Sequence, residues 1–195
     1  MGGMEAAPAA ERRERLWQTN IYLAMLLFLY SEAFLFGSLF WAYYFLKFKT
    51  PVWPPEGVEL ETGLMSASTA VLLLSSGTMQ ASIMAIRRGS QRGLVLGLVA
   101  TMLLGSAFLG IKVWDWFHLP FRPWDHAYGS VFYTLTAFHG AHVLGGLLVL
   151  AALLVRALRR LFSPDRHLAV EVGGLYWHFV DLVWLGVFST LFIIR

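Results

Sequence analysis

The apolar residues of this chain fall into five blocks, each about long enough to cross a hydrocarbon core, and few folds tolerate that pattern. A helix needs about 20 residues to span roughly 30 Å of lipid. The blocks run from about Thr19 to Phe45, Ser66 to Ile86, Gly93 to Trp114, Tyr128 to Leu158 and Glu171 to Ile194. They are continuous, with none of the short alternation of half-buried strands. Composition agrees, since 57% of residues are hydrophobic and 14% charged, against about a quarter charged in ordinary globular chains. The expected fold is an all-α membrane protein, a bundle of five transmembrane helices over residues 19–195, preceded by a tail at 1–18. The connections are too short to hold a soluble domain, and no internal repeat is evident.

Basic residues alternate between connections. Arg12, Arg13 and Arg15 precede the first span, Arg87, Arg88 and Arg92 follow the second, and Arg156, Arg159, Arg160 and Arg166 follow the fourth. The remaining connections carry Glu56, Glu59, Glu61, Asp115 and Asp125. The positive-inside rule therefore places the N-terminus in the cytoplasm and the C-terminus in the periplasm. The first 18 residues lack a signal peptide's apolar core and cleavage site and are read as a retained cytoplasmic tail. A net charge of +3 could suggest nucleic acid. The basic residues sit at span ends instead, without a patch of interleaved aromatics, so no nucleic-acid partner is expected. Pro51 to Pro55, with three prolines, cannot continue a helix and is expected as a rigid external loop. Trp41, Tyr43, Tyr44, Trp53, Trp114, Trp116, Trp124 and Tyr128 gather near that face and read as an interfacial aromatic belt.

With no cysteine and six histidines, thiolate-held metals, iron–sulfur clusters and c-type haem attachment are excluded. His139, His142 and His178 are the histidines inside apolar segments, a thin supply of ligands.

Ionisable groups at membrane depth are costly and mark a functional hypothesis by default. Glu32, His139, His142, His178 and Asp181 all fall near the middle of their spans, so five polar residues from three helices are expected to share one layer. Neighbours on a helix lie three or four apart, which aligns His139, His142 and Gly146 in one stripe and Glu171, Gly174, His178 and Asp181 in another. Three readings of this layer stay open: a hydrogen-bonded network that locks helix order, a proton relay or transport site, and a metal site using His139, His142, His178 and Glu32.

Several segments, read consecutively, resemble subunit III of the haem-copper oxidases. Tyr176 to Trp184, YWHFVDLVW, matches that family's last-helix signature almost letter for letter. Thr136 to Gly145, TAFHGAHVLG, preceded by Tyr128-Gly129-Ser130, is similar to its penultimate-helix motif. Ser31-Glu32 with Phe34, Phe36, Phe40 and Trp41 resembles its Ser-Glu helix, and Trp53-Pro54-Pro55 with Gly57 is a weaker echo. The likeness covers nearly the whole chain after the tail. It departs in lacking two N-terminal helices of seven-helix members, as short bacterial forms do. It departs again at Lys112 and Asp115-Trp116, where the family usually has a glutamine and a Glu-Tyr pair, and at Ser68-Thr69, where Asn-Thr is common.

The resemblance implies a non-catalytic subunit III of an aerobic terminal oxidase, a cytochrome c oxidase of the aa3 type, in the bacterial inner membrane. It implies no cofactor on this chain, haem and copper in partner subunits, and a bound phospholipid. Catalytic subunit I, subunits II and IV and membrane lipid are the implied partners, with a respiratory supercomplex beyond them. Glu32, His139, His142, His178 and Asp181 match the family's buried motif residues, while Arg87, Arg88, Trp41 and Trp184 are expected at lipid or subunit interfaces. A quinol oxidase or a nitric oxide reductase-associated subunit is the nearest alternative. An independent transporter or proton-conducting bundle is the alternative from another class.

Overall fold

The computed structural model describes residues 9–58 and 60–194. The first eight residues of the expected tail lie outside the described residues, as does Glu59, one of the acids counted toward the external side. Among the described residues there are five α-helices: α1 (Ala9–Lys49), α2 (Thr62–Arg87), α3 (Gln91–His118), α4 (Ala127–Leu158) and α5 (Leu168–Phe188), the last running into a π-helical segment, Ser189–Ile194. Each is long and apolar enough to cross a membrane. In lipid every backbone N–H and C=O must be satisfied within the spanning segment, which a helix does by itself.

The helices overrun the apolar blocks. α1 begins at Ala9 rather than at the first apolar residue, because Ala-Ala-Glu-Arg-Arg-Glu-Arg is composed of strong helix formers. Hydropathy locates the part of a helix that lipid covers, and propensity extends it into water. α1 stops before Pro51, and the Pro51–Pro55 loop folds back so that Trp53 Nε1 donates to the Tyr43 hydroxyl at 3.0 Å.

α2 and α3 form a hairpin through one of two matched helix ends. At the end of α2, Gly89 (φ +77°) donates its N–H to Ile86 O at 2.9 Å and Ser90 donates to Ala85 O at 2.9 Å, the paired bonds of a left-handed C-terminal cap. The Ser90 side chain then caps α3 by accepting from Gly93 N at 3.2 Å. The end of α4 repeats the bonds, with Arg160 N to Ala157 O at 2.9 Å and Leu161 N to Arg156 O at 3.1 Å. Here the left-handed position is Arg160, at φ +54°, a conformation that costs a residue with a Cβ about 1–2 kcal/mol.

α2, α3, α4 and α5 pack as a closed ring, each touching the next and α5 returning to α2, while α1 lies outside against α4 and α5. At the centre of the ring the fully buried Trp177 of α5 donates its Nε1 to Ser75 Oγ of α2 at 3.0 Å. Its ring lies between Gly105 of α3 and Gly146 of α4, where an added Cβ would fall 2.6 Å and 2.9 Å from ring carbons. Close backbone approach of this kind is how membrane helices gain packing when water does not drive them together.

The expected aromatic belt divides in two. Trp41 and Trp124 are exposed, but Tyr43 and Tyr128 are wholly buried, in an edge-to-face cluster with Trp53 and Phe121. Tyr43, Trp53 and Tyr128, three of the eight aromatics that read as interfacial anchors, are internal packing at the loop-covered end.

Candidate functional site

The five polar residues inside the apolar helices are the candidate site, and the structure brings only Glu32 and His142 together. Of the five residues expected to share one layer, Glu32 of α1 meets His142 of α4, with Oε2 at 2.9 Å from Nε2. The other ring nitrogen, Nδ1, lies 2.7 Å from Phe138 O. A carbonyl oxygen can only accept, so Nδ1 carries hydrogen, and the Nε2–Glu32 contact then holds a single proton. The pair exists either as imidazolium with carboxylate or as neutral imidazole with carboxylic acid. Phe36 packs edge-on against the imidazole at 5.0 Å, and the Tyr176 hydroxyl donates to His142 O at 3.0 Å. The two side chains keep 18% and 16% of their accessible surface, so the pair opens onto the seam between α1 and α4.

His178 of α5 turns to α2, where its Nδ1 lies 2.5 Å from Ser76 Oγ. Asp181, one turn further, is buried beside the same serine, yet its two oxygens fall outside hydrogen-bond geometry with it and have no partner among the described residues. His139 is also fully buried and its ring nitrogens have no partner among the described residues. It stacks obliquely on Trp184 at 4.8 Å and meets Phe108 edge-on at 5.8 Å. The four residues of the metal reading therefore do not converge, and no group of three or more potential ligands occurs among the described residues.

Of the expected interface residues, Trp41 is 74% exposed, whereas Trp184 is fully buried and donates to Thr69 Oγ1 at 2.9 Å. Trp184 belongs to the core, which hydropathy cannot distinguish from a lipid-facing position. Arg88 is exposed. Arg87 makes two bonds to Glu171 Oε1, at 2.9 Å from Nε and 2.6 Å from Nη2. Glu171 also receives His167 Nε2 at 3.1 Å and the Tyr22 hydroxyl. That carboxylate thus ties α1, α2 and α5 at the arginine-rich end.

Two features lay outside the expected site. Lys112 and Asp115, seen in the sequence only as departures, form a buried ion pair at 2.8 Å. The Lys112 ammonium also lies over the rings of Phe132 at 4.9 Å and Phe192 at 5.5 Å. The i, i+3 spacing of opposite charges was the signal for it. The second is a groove of about 570 Å³ between α1, α4 and α5, lined by Met25, Phe28, Val149 and Tyr176 and bounded by Arg156 at the arginine-rich end. Arg156 and Ile21 also line a more polar groove, where Tyr22, Arg166, His167 and Glu171 stand. Arg156 was counted for topology, and nothing in its own sequence position distinguished it from the other basic residues.

A bundle of five helices, each long and apolar enough to cross a membrane, defines a multi-pass membrane protein. The family profile for cytochrome c oxidase subunit III matches residues 8–194. A probable cytochrome c oxidase subunit 3 from Nocardia farcinica is 37% identical, across 99% of this chain and 98% of its own length. Cytochrome c oxidase subunit 3 from Thermostichus vulcanus is 34% identical across 88% of this chain and 86% of its own. The protein of that name from Rhizopus stolonifer is 37% identical across 90% of this chain, which spans 64% of that longer relative. The chain belongs to the cytochrome c oxidase subunit III family of the haem-copper oxidases.

Proposed function

We propose that this chain is the non-catalytic subunit III of a bacterial aa3-type cytochrome c oxidase, holding the catalytic subunit in a form that sustains turnover. It has no active site of its own. Haem and copper sit in partner subunits, and this chain packs against subunit I, with subunits II and IV in the same complex. The arginine-rich end faces the cytoplasm, by the positive-inside rule, and the C-terminus faces the periplasm. The match across almost the full length of a bacterial relative supports a plasma-membrane location.

The observation that carries the mechanistic part is the Glu32–His142 pair. It binds α1, the peripheral helix, to the ring through one shared proton at mid-membrane depth, and it is open at the seam. In that position it fixes α1 and is able to exchange its proton with a route in a neighbouring subunit. The groove bounded by Arg156 fits a phospholipid, with acyl chains on Met25, Phe28 and Val149 and the headgroup at the arginine.

The test is to isolate the protein with its native partners in mild detergent, record the reduced-minus-oxidised haem spectrum, and follow oxygen uptake with cytochrome c or quinol. Haem a with cytochrome c-driven uptake is expected. A b- or o-type spectrum with quinol activity moves the chain to the quinol branch, and a colourless protein without large partners sinks the proposal. In the assembled oxidase, Glu32→Gln is expected to shorten the number of turnovers before inactivation. Unchanged assembly together with unchanged sustained turnover would remove Glu32 from the assignment.

A further inference from the structure

A third groove lies between the first turns of α3 and the last turn of α4, about 390 Å³ in volume, with Val95, Leu96 and Leu158 as its apolar wall and Arg92 and Arg160 at its rim. It shares no lining residue with the α1/α4/α5 groove. Positions 156 and 158 are two apart on one helix, about 200° around its axis, so the two grooves open on opposite sides of α4. We infer that this groove is a binding site for one anionic phospholipid of the leaflet at the arginine-rich end, with Arg92 and Arg160 as its phosphate ligands.

Charge selects the occupant. No acidic residue lines the groove, and among the described residues neither guanidinium has a hydrogen bond or ion pair to a carboxylate. Guanidinium presents paired donors in a fork that fits phosphate oxygens. The walls are tied in place by the Gln91 side-chain amide, which donates to Ala157 O across the groove. The site is therefore built before a lipid arrives.

Arginines at this end of a membrane bundle would satisfy the positive-inside rule wherever they stood, and that is the plainer reading. Arg160 argues against it. The same C-terminal cap at the end of α2 uses Gly89, the usual residue for the left-handed position, while α4 puts an arginine there. Arg159, one residue earlier, already supplies a cation from an ordinary backbone conformation (φ −79°). Topology does not need Arg160, and the backbone disfavours it; a ligand at the groove rim accounts for it.

The substitution Arg160→Gly removes the charge and at the same time gives the cap its preferred residue, so the variant is expected to fold. The assembled complex, with wild-type, Arg160→Gly, Arg92→Gln and doubly substituted chains, is exchanged into nanodiscs of phosphatidylglycerol and phosphatidylcholine, and retained lipid is counted by native mass spectrometry. Each arginine near a membrane surface contributes about fivefold in affinity for an anionic headgroup, so the double variant should retain one phosphatidylglycerol about 25-fold less tightly. Phosphatidylcholine retention should be unchanged, and the melting temperature of Arg160→Gly equal or higher. The inference fails if the double variant keeps its phosphatidylglycerol. It fails too if Arg156→Gln alone removes that lipid, which would assign it to the other groove. A label at Leu96 found buried against another subunit of the complex would make the groove a protein contact and overturn the site.

Discussion

Replacing Gly105 by alanine should strike the centre of the ring through one contact. The new methyl carbon would lie 2.6 Å from Cη2 and 2.8 Å from Cζ2 of Trp177, and 3.2 Å from Leu147 Cδ2, where ordinary contact begins near 3.4 Å. The indole must retreat by most of an ångström. Its other side is closed by Gly146, whose own Cβ would already fall 2.9 Å from the ring. Its Nε1 is held by Ser75 at 3.0 Å. Overpacking of this kind costs about 1–3 kcal/mol, and a retreat that breaks the indole bond adds about 1 kcal/mol, giving roughly 2–4 kcal/mol. Equilibrium unfolding of the full chain in mixed micelles measures this directly. The decisive version is a double-mutant cycle with Trp177→Phe, whose smaller ring vacates the contested space. Gly105→Ala should then cost at least about 1 kcal/mol less than in the wild-type background. An equal cost in both backgrounds would show that the indole is not what alanine meets, and the close-packed centre described for this bundle would be wrong.

Two further substitutions test the charged pairs. Lys112→Met strands the buried Asp115 and should cost about 3–5 kcal/mol, whereas Lys112→Met with Asp115→Leu should be near neutral; unfolding of the three chains checks this, and an additive pattern would refute the pairing. Glu171→Gln removes the carboxylate shared by Arg87, His167 and Tyr22, and because Arg87 is largely exposed the expected loss is only about 1 kcal/mol. Faster proteolysis in the α1 region under mild detergent is the companion readout, and unchanged protection would mean that this end of α1 is held by apolar contacts alone.

The spans were legible in the sequence because hydropathy over twenty residues is a strong signal, and within them Glu32, His139, His142, His178 and Asp181 stood out as polar residues in apolar helices. Their grouping was not legible. Position along the chain fixes the height of a side chain but leaves its azimuth to helix packing, and only the ring arrangement reveals that α1 packs chiefly against α4 and α5. Glu32 can then reach His142 on the outward flank of α4, while His139, three residues earlier, points inward to Phe108 and Trp184. His178 lies on the side of α5 that meets α2 and finds Ser76. Residues three apart share a broad face, yet in a ring that face borders two different neighbours. The same reasoning explains Trp184, which by hydropathy is indistinguishable from a lipid-facing tryptophan until its partner Thr69 is known.

Two of the acid–base pairs of the bundle, Lys112–Asp115 and Glu32–His142, differ in their access to the surroundings. Lys112 and Asp115 belong to one helix and are sealed, retaining 2% and 8% of their side-chain surface. The Lys112 ammonium lies against the rings of Phe132, Phe192 and Trp184, so burial and packing set the surroundings of this pair. Glu32 and His142 join two helices and stay partly open. Moving the single proton from one partner to the other leaves their total charge unchanged but exchanges an ion pair for two neutral groups, so the two forms differ in desolvation cost. Only loss or gain of that proton from outside changes the charge of the seam. The gap between α1 and α4 is the side on which the pair keeps its exposure, and the proposed proton exchange would run there. Glu32→Gln keeps a side chain able to hydrogen-bond to His142 while ending the exchange, so a variant oxidase that assembles normally but loses proton uptake would identify the relay. One that loses α1 packing and assembly would identify the lock.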